Sequence, residues 1–365
     1  QGRNENMRKG LKIVVLCGGL STERKISFSS GTQVCRALRE QGHRAVLVDM
    51  FMGLENVTDN PAAVLADPAS LFDDLPALKP VVFDGKAPDL YEVQLSRKWK
   101  SPSLFGRGVV EICRAADIVF NALHGANGED GRVQAAFDLL GIPYTGSGYL
   151  GAAMAMDKLI TKQMVTGKGV RTPKWKEFYC ENGDIESILE QISAPCVVKT
   201  PGGGSSVGVV IVREQSQLRP AVEECLSFSP HLLVEELIEG REFTCAVLHG
   251  RALPSVEIAP KTEFYNYENK YRAGATEEIC PGRCTPEVER EMGEMALCAH
   301  ETLGLRTYSR SDFIVDDNNT VWFLEINTLP GMTPTSLVPQ EAEAAGISFG
   351  ELCDIIIEDA LPDDR

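Results

Sequence analysis

No apolar run in the 365 residues approaches the ~20 needed to span a bilayer, and no charged and apolar leader opens the chain, so the sequence reads as soluble and cytoplasmic. GxxxxGK[ST] is also missing, which excludes a P-loop nucleotide fold. Positive charge is scarce: 36 Lys and Arg stand against 52 Asp and Glu, a formal net charge of −16. That balance argues against nucleic acid as partner and obliges any anionic substrate to find local lysines, arginines or metal. The 11 cysteines follow no zinc or CxxC spacing and read as reduced thiols. The leading QGRNEN, before Met7, has neither periodicity nor an apolar core and reads as an expression remnant. With 43% apolar residues the chain can bury large cores, enough for two or three domains.

What is present begins with LKIVVLCGG (residues 11–19), a short buried strand running into glycines, with a helix expected to start between Ser27 and Ser30. Residues 45–49 and 116–120 read as further strands of a parallel α/β opening, whose ligands gather at the C-terminal strand ends. Glu23, just after the first strand, and His124, in NALHGANGEDG (residues 121–131), are therefore candidates to face a site; the bland reading makes them solvated or structural loop residues. Residues 51–107 show weak periodicity and receive no role. IPYTGSGYLG (residues 142–151) contains a formal GxGxxG at Gly146, Gly148 and Gly151. The position about twenty residues on, where a ribose-binding acid belongs, holds Arg171, so these glycines read as a turn and helix start joining two domains.

APCVVKTPGGGSSVGVVIV (residues 194–212) is strand, glycine-rich loop, strand. Lys199 ends the first strand, where it can meet a phosphate. Gly202, Gly203 and Gly204 with Ser205 and Ser206 form a flap whose backbone N–H groups are unobstructed. Lys158, on the helix after AMAMD, is a second phosphate candidate. HLLVEELIEGREFTCAVL (residues 231–248) gives strand, acidic linker, strand. A base laid against it would meet Glu235 at its exocyclic amine, the backbone of Glu236 and Ile238 at its ring edge, and Glu242 at its ribose. FYNYENKYRAGAT (residues 264–276) is too long for a plain hairpin and is a candidate lid. Thr285 then caps a helix with Pro286 in its first turn and Val288, Met292, Met295, Ala299 and Leu303 on its buried face.

The chain is organised around YSRSDFIVDDNNTVWFLEIN (residues 308–327), two apolar-rich strands joined at Asn318-Asn319. A two-residue loop with Asp317 opposite Thr320 sets Asp312 across from Glu325 and Arg310 across from Asn327, all on one face; Phe313, Val315, Trp322, Leu324 and Ile326 share the other. Like charges directly opposed are destabilising, so something cationic belongs between Asp312 and Glu325. Two carboxylates and an amide oxygen are hard ligands suited to Mg²⁺ shared with phosphate oxygens. The alternative is a solvated acidic face with Arg310 as salt-bridge partner. TLPGMTPTSLVP (residues 328–339) follows as an irregular loop in which Gly331 can offer an unobstructed backbone N–H.

HGANGEDG, PYTGSG, MDK, VVKTPGGGSSVG, EELIEGREFT, YNYENKY, RSDF and LEINTLPGMTPTSLVP, in this order along nearly the whole chain, resemble the D-alanine–D-alanine ligases of the ATP-grasp superfamily. The resemblance implies a Rossmann-like N-terminal α/β domain over residues 1–150, followed by the two α+β lobes of an ATP-grasp fold over residues 151–241 and 242–365. It implies that Lys158, Lys199, Glu235, Glu236, Ile238, Glu242 and Lys270 contact ATP, with Ser206 in the phosphate flap, and that Asp312, Glu325 and Asn327 hold two Mg²⁺ or Mn²⁺. Glu23 would take the first D-alanine's ammonium, and Arg310 with the Gly331 N–H its reacting carboxylate. Ser205, Tyr271 and Ser336 would arrange the second-substrate side. It further implies a homodimer that makes D-alanyl-D-alanine for peptidoglycan. Glu236 departs from relatives with lysine there, so only its backbone contact carries over. Relatives that form depsipeptides carry histidine where this chain has Tyr271, and relatives that accept D-serine place a polar or basic residue at Leu337. A D-serine or D-lactate ligase, another ATP-grasp ligase and a nicotinamide oxidoreductase remain as alternatives.

Overall fold

The computed structural model describes residues 7–78, 87–180, 184–204, 208–260 and 276–361. Among these residues the strands form three sheets. In the first, β1 (Lys12–Cys17) lies between β2 (Arg44–Asp49) and β3 (Ile118–Asn121), all parallel. Both faces are covered, which explains the unbroken apolar run of β1. Ile13 and Val15 pack with Val34 and Leu38 of the helix Arg24–Glu40, and with Leu352 and Ile356 of the helix Phe349–Ala360 near the end of the chain. Val14 and Leu16 pack with Ile112 and Phe137 on the other side.

The helix after β1 starts at Arg24, earlier than the expected Ser27 to Ser30. Those serines resemble a cap in sequence but are wholly buried helical side chains. Ser27 Oγ accepts from the Gly18 N–H at 2.8 Å and donates to the Ala122 carbonyl at 2.7 Å, tying the helix to the strand ends. Arg24 turns inward to the buried Asp49 carboxylate.

The second sheet is antiparallel in the order β4 (Trp175–Tyr179), β7 (His231–Glu236), β5 (Cys196–Lys199), β6 (Val209–Val212). Alternation along β5 and β7 sends Val198, Leu232 and Val234 into a core with Val222 and Leu218 of the helix Leu218–Leu226. The same alternation leaves Lys199 and Glu235 together on the opposite face.

The third sheet runs β11 (Thr276–Ile279), β10 (Val256–Pro260), β8 (Arg241–Leu248), β12 (Tyr308–Val315), β13 (Val321–Asn327), with the short β9 (Arg251–Ala252) beside β8. The helix Pro286–Thr302, capped by Thr285 as expected, lays Val288, Met292 and Ala299 on Phe243, Phe313 and Phe323 of this sheet.

The hairpin departs from its expected form at two points. Asp316 N–H bonds the Thr320 carbonyl at 3.1 Å and Val315 pairs with Val321, so the loop holds three residues and turns at Asn319 with φ +60°. A bulge then shifts the register between Asp312 and Phe313, leaving Leu324 as the extra residue. Val321 and Phe323 therefore fill the core, and Trp322 and Leu324 do not. Trp322 instead donates its indole N–H to Asp316 at 3.0 Å.

The formal GxGxxG has packing reasons. Gly146 has φ +89°, and a Cβ on Gly151 would stand 3.0 Å from the Leu303 carbonyl. Arg171 donates to Glu291 and to the Val321 carbonyl, joining the helix Pro286–Thr302 to β13.

Candidate active site

The bulge restores the pairing that matters: Asp312 lies across from Glu325 and Arg310 across from Asn327. Both carboxylates have a cation. Arg310 grips Asp312 through two bonds of 2.8 Å, Nε to Oδ1 and Nη2 to Oδ2. Lys158 Nζ stands 3.3 Å from Glu325 Oε2. Lys158 is the first residue of the helix Lys158–Thr166, whose N-terminal N–H groups are capped by Asp157, and its buried ammonium also donates to the Gly203 carbonyl at 2.8 Å. The glycine-rich loop is thus tied to the acidic face by one lysine. Asn327 Oδ1 accepts the Leu329 N–H at 2.8 Å, which fixes the amide beside the start of the loop 328–336.

On the second sheet Lys199 Nζ lies 2.6 Å from Glu235 Oε2, and Lys162 Nζ lies 3.0 Å from the other oxygen. Burial lowers the Lys162 pKa to about 8, with the Glu235 charge opposing and the Lys199 charge adding to the fall. Lys162 has no place in the sequence reading. Its signal was its position: with Leu159 and Val165 it occupies the buried stripe of its helix, where an ionisable group calls for a partner. The Glu236 backbone N–H donates to the Lys174 carbonyl at 2.9 Å, so of its two backbone groups only the carbonyl can serve a base. Glu242 pairs with Ile314 across β8 and β12, on the same sheet face as Arg310 and Asp312.

From the first sheet, Glu23 occupies the N-cap position of its helix. Its carboxylate lies where a Cβ on Gly125 would stand 2.9 Å away and one on Gly204 3.8 Å away, so Glu23 meets the glycine-rich loop. His124 is buried behind it. Ser30 Oγ is 3.0 Å from His124 Nε2 and accepts the Met332 N–H at 3.3 Å, which links this corner to the loop 328–336. Burial disfavours the imidazolium, but the hydrogen bond and charge of Glu129, and then the Glu23 charge, outweigh it and raise the His124 pKa.

In the loop 328–336 a Cβ on Gly331 would stand 2.9 Å from Ser336 Oγ, so a side chain there would push the Ser336 hydroxyl aside. Ser336 starts the helix Leu337–Ala344 but turns its hydroxyl back to the Thr333 N–H at 3.1 Å. One turn on, Glu341 is wholly buried and accepts from Thr244 Oγ1 at 3.1 Å and the Ala246 N–H at 2.5 Å, facing the strand positions paired with Asp312 and Arg310. Burial pushes its pKa up to about 8, against those two hydrogen bonds and the Arg310 charge. Sequence reasoning missed it too, although Glu341 falls on the same buried stripe as Val338 and Ala342. Ser205, Ser206, Lys270 and Tyr271 lie outside the described residues.

Family models describe both halves of the chain: the D-ala D-ala ligase N-terminus matches residues 12–147 and the D-ala D-ala ligase C-terminus residues 164–358. The D-alanine–D-alanine ligase of Lacticaseibacillus casei is 39% identical over 352 residues, spanning 96% of this chain and 96% of its own. The crystal structure of D-alanine–D-alanine ligase from Bacillus anthracis complexed with ATP superposes with a TM-score of 0.70 at 28% identity, covering 97% of this chain and 98% of that one. VanG D-Ala:D-Ser ligase from Enterococcus faecalis gives 0.70 at 28%, covering 96% and 99%.

Proposed function

The chain belongs to the D-alanine–D-alanine ligase family, and we propose that it joins two D-alanine molecules into D-alanyl-D-alanine, with ATP consumed through an acyl phosphate. The product serves peptidoglycan synthesis. The observation that carries this reading is the convergence of Arg310, Asp312, Glu325 and Asn327 on one hairpin face, bridged by Lys158 to a glycine-rich loop that reaches Glu23.

The first D-alanine's carboxylate attacks the γ-phosphate of ATP; ADP leaves and an acyl phosphate forms. The second D-alanine's amine then attacks the acyl carbon, and phosphate leaves. Lys158 and Lys199 are assigned to the phosphate oxygens, which the bond of Lys158 to the Gly203 carbonyl and the place of Lys199 at the end of β5 support, and the exposed backbone of Gly202, Gly203 and Gly204 supports their covering role. Glu235, with the Glu236 carbonyl and Ile238, is assigned to the base, and Glu242 to the ribose. Glu23 is assigned to the first ammonium, which the acidic corner with Glu129 supports. Arg310 and the Gly331 N–H are assigned to the oxyanion of the second step, where fixed donors act on developing charge. Ser205, Ser206, Ser336, Lys270 and Tyr271 keep the roles that the resemblance implies.

Asp312, Glu325 and Asn327 are an oxygen-only donor set, and the cations already gathered on both carboxylates support a site built for positive charge. Among the described residues no cluster of three or more His, Cys, Asp or Glu is placed to hold a metal, and phosphate oxygens and water would complete the shell. We assign two Mg²⁺, replaceable by Mn²⁺, to these three residues; bound there, they would neutralise charge on the transferring phosphoryl group.

We divide the chain at residues 150 and 241, in keeping with its three sheets. ATP supply supports action in the cytoplasm. Exposed Leu139, Tyr149 and Leu150, on the neighbouring helices Arg132–Leu140 and Tyr149–Met156, support a homodimer. Among the described residues no helix is long and apolar enough to cross a membrane.

The test is phosphate release from ATP and Mg²⁺ with and without D-alanine, paired with mass detection of the product. Phosphate release without dipeptide would overturn the reading. The likeness to a D-Ala:D-Ser ligase favours one second reading, D-alanyl-D-serine, which the same mass spectrum separates.

A further inference from the structure

Lys162 and Lys199 hold one carboxylate between them. Lys162 is 0% exposed and Glu235 2%, and Lys162 approaches Oε1 at 3.0 Å while Lys199 takes Oε2 at 2.6 Å. Lys162 also donates to Thr172 Oγ1, and to the Pro173 carbonyl at 3.4 Å; its ammonium stands 5.4 Å from the centre of the Trp175 ring. One of these two lysines is committed elsewhere. Lys199 ends β5 where the glycine-rich loop begins, the position of a phosphate contact, whereas Lys162 is enclosed by the segment leading into β4.

An ammonium that turns to phosphate leaves its former partner behind. Glu235 is buried, and a buried carboxylate stripped of its counter-charge either takes up a proton or carries a heavy desolvation penalty. A protonated Glu235 could not accept from an exocyclic amine through the oxygen bearing its proton. With Lys162 in place, the site holds two cations and one anion before ATP arrives, and one balanced pair once Lys199 has moved.

We propose that Lys162 is a positioning residue for the nucleotide, the counter-charge that stays with Glu235 when Lys199 turns to the phosphates and keeps that carboxylate ionised and aimed at the base. The inference rests on the assignment of Glu235 and Lys199 as nucleotide contacts. It carries a proton signature. The charged groups acting on Lys162 are Glu235 and Glu236 from β7 and Lys199 from β5, with Lys158 one turn back on its own helix and neutral Thr172, Pro173 and Trp175 beside it. Burial first, then the nearby Lys199 charge, bring Lys162 down to about 8. Departure of the Lys199 charge raises it again, so Lys162 takes up part of a proton as ATP binds above about pH 8 and far less near pH 7.

The test is calorimetric titration with ATP and Mg²⁺, at about pH 7 and about pH 8.5, in buffers of different ionisation enthalpy. The proteins are the wild type, Lys162→Arg, Lys162→Met, Glu235→Gln and Lys199→Met. The wild type should take up clearly more protons at the higher pH. Lys162→Arg should bind ATP nearly as well with no uptake at either pH, because guanidinium stays charged. Lys162→Met should raise the Kd at least about tenfold and narrow the preference for ATP over GTP, since Glu235 loses its remaining partner. Should Lys162→Met fail to fold, Lys162→Arg still decides, because proton uptake that survives in it overturns the proposal. Wild-type affinity in Lys162→Met, with Glu235→Gln and Lys199→Met impaired, overturns it as well. If those two also bind normally, the nucleotide assignment itself is what fails.

Discussion

Lys158 Nζ lies 3.3 Å from Glu325 Oε2, so a carboxylate of the acidic hairpin face has a cation beside it. Arg310 stands likewise beside Asp312. A divalent cation arriving alone must compete with both, whereas on the proposed reading the phosphate oxygens of ATP would draw Lys158 away and supply further ligands. Mg²⁺ alone should therefore leave the melting temperature nearly unchanged. Mg²⁺ with ATP at about a hundred times its Kd should stabilise by about 2.7 kcal/mol, several degrees in a thermal scan. Equal shifts with and without nucleotide would refute the competition.

Glu325→Gln should reduce ligation by about a hundredfold or more, because charge stabilisation at the phosphoryl group is worth several kcal/mol. Its effect on the fold should be small. The opposed carboxylates are already neutralised by Lys158 and Arg310, and the Glu325 side chain is 37% exposed, so neither relief of repulsion nor loss of the pair amounts to much. Steady-state rates with urea unfolding of the same preparation check both halves, and near-normal turnover would remove Glu325 from the site.

The hairpin shows how sequence can set two residues opposite one another while misplacing their neighbours. Reading a two-residue loop put Asp312 opposite Glu325, and the three-residue loop around Asn319 should have broken that pairing by one position. The bulge at Leu324 compensates, because a bulge adds a residue to one strand without changing which groups the site needs opposed. Only Trp322 and Leu324, between the loop and the bulge, were assigned to the wrong face. No local propensity marks such a bulge. The motif-borne residues were legible because glycine runs, an acidic pair and an Asx loop are unusual compositions. Lys162 and Glu341 were not, since one charged residue in an amphipathic helix looks solvated until its neighbours in space are known.

The Glu341 carboxyl, buried against Ala246 and Thr244, holds its proton up to about pH 8, whereas in the unfolded chain it ionises near its ordinary value of 4.5. The native state therefore binds the extra proton between those two values. The contribution is fully present below about pH 4.5, falls by about 1.4 kcal/mol per pH unit above it, and is lost as pH passes about 8. Glu341→Gln, an uncharged isostere, should remove that slope and unfold at higher urea than the wild type at pH 8, with the difference shrinking towards pH 5. Identical pH profiles would mean that Glu341 is ionised in the native protein.

The choice of second substrate should turn on the start of the helix Leu337–Ala344, where Ser336 is held back on Thr333 and Leu337 stands next in line. An apolar side chain there presents a wall that suits a methyl group and leaves a hydroxyl unpaired. Such a wall discriminates by about 1–3 kcal/mol, roughly tenfold to two-hundredfold. D-Lactate faces a different barrier: it lacks the amine that this active site is proposed to receive, and Tyr271 offers no imidazolium to draw in its carboxylate near neutral pH. With equal D-alanine, D-serine and D-lactate, D-alanyl-D-alanine should dominate, D-alanyl-D-serine should appear as a minor product, and the depsipeptide should be negligible. Leu337→Asn should raise the share of D-serine by giving its hydroxyl a partner, without altering the Kd for ATP. Mass spectrometry of the competition mixture decides it. A mixed dipeptide that already dominates in the wild type would show that Leu337 does not set this preference, and the likeness to a D-Ala:D-Ser ligase would then extend to substrate.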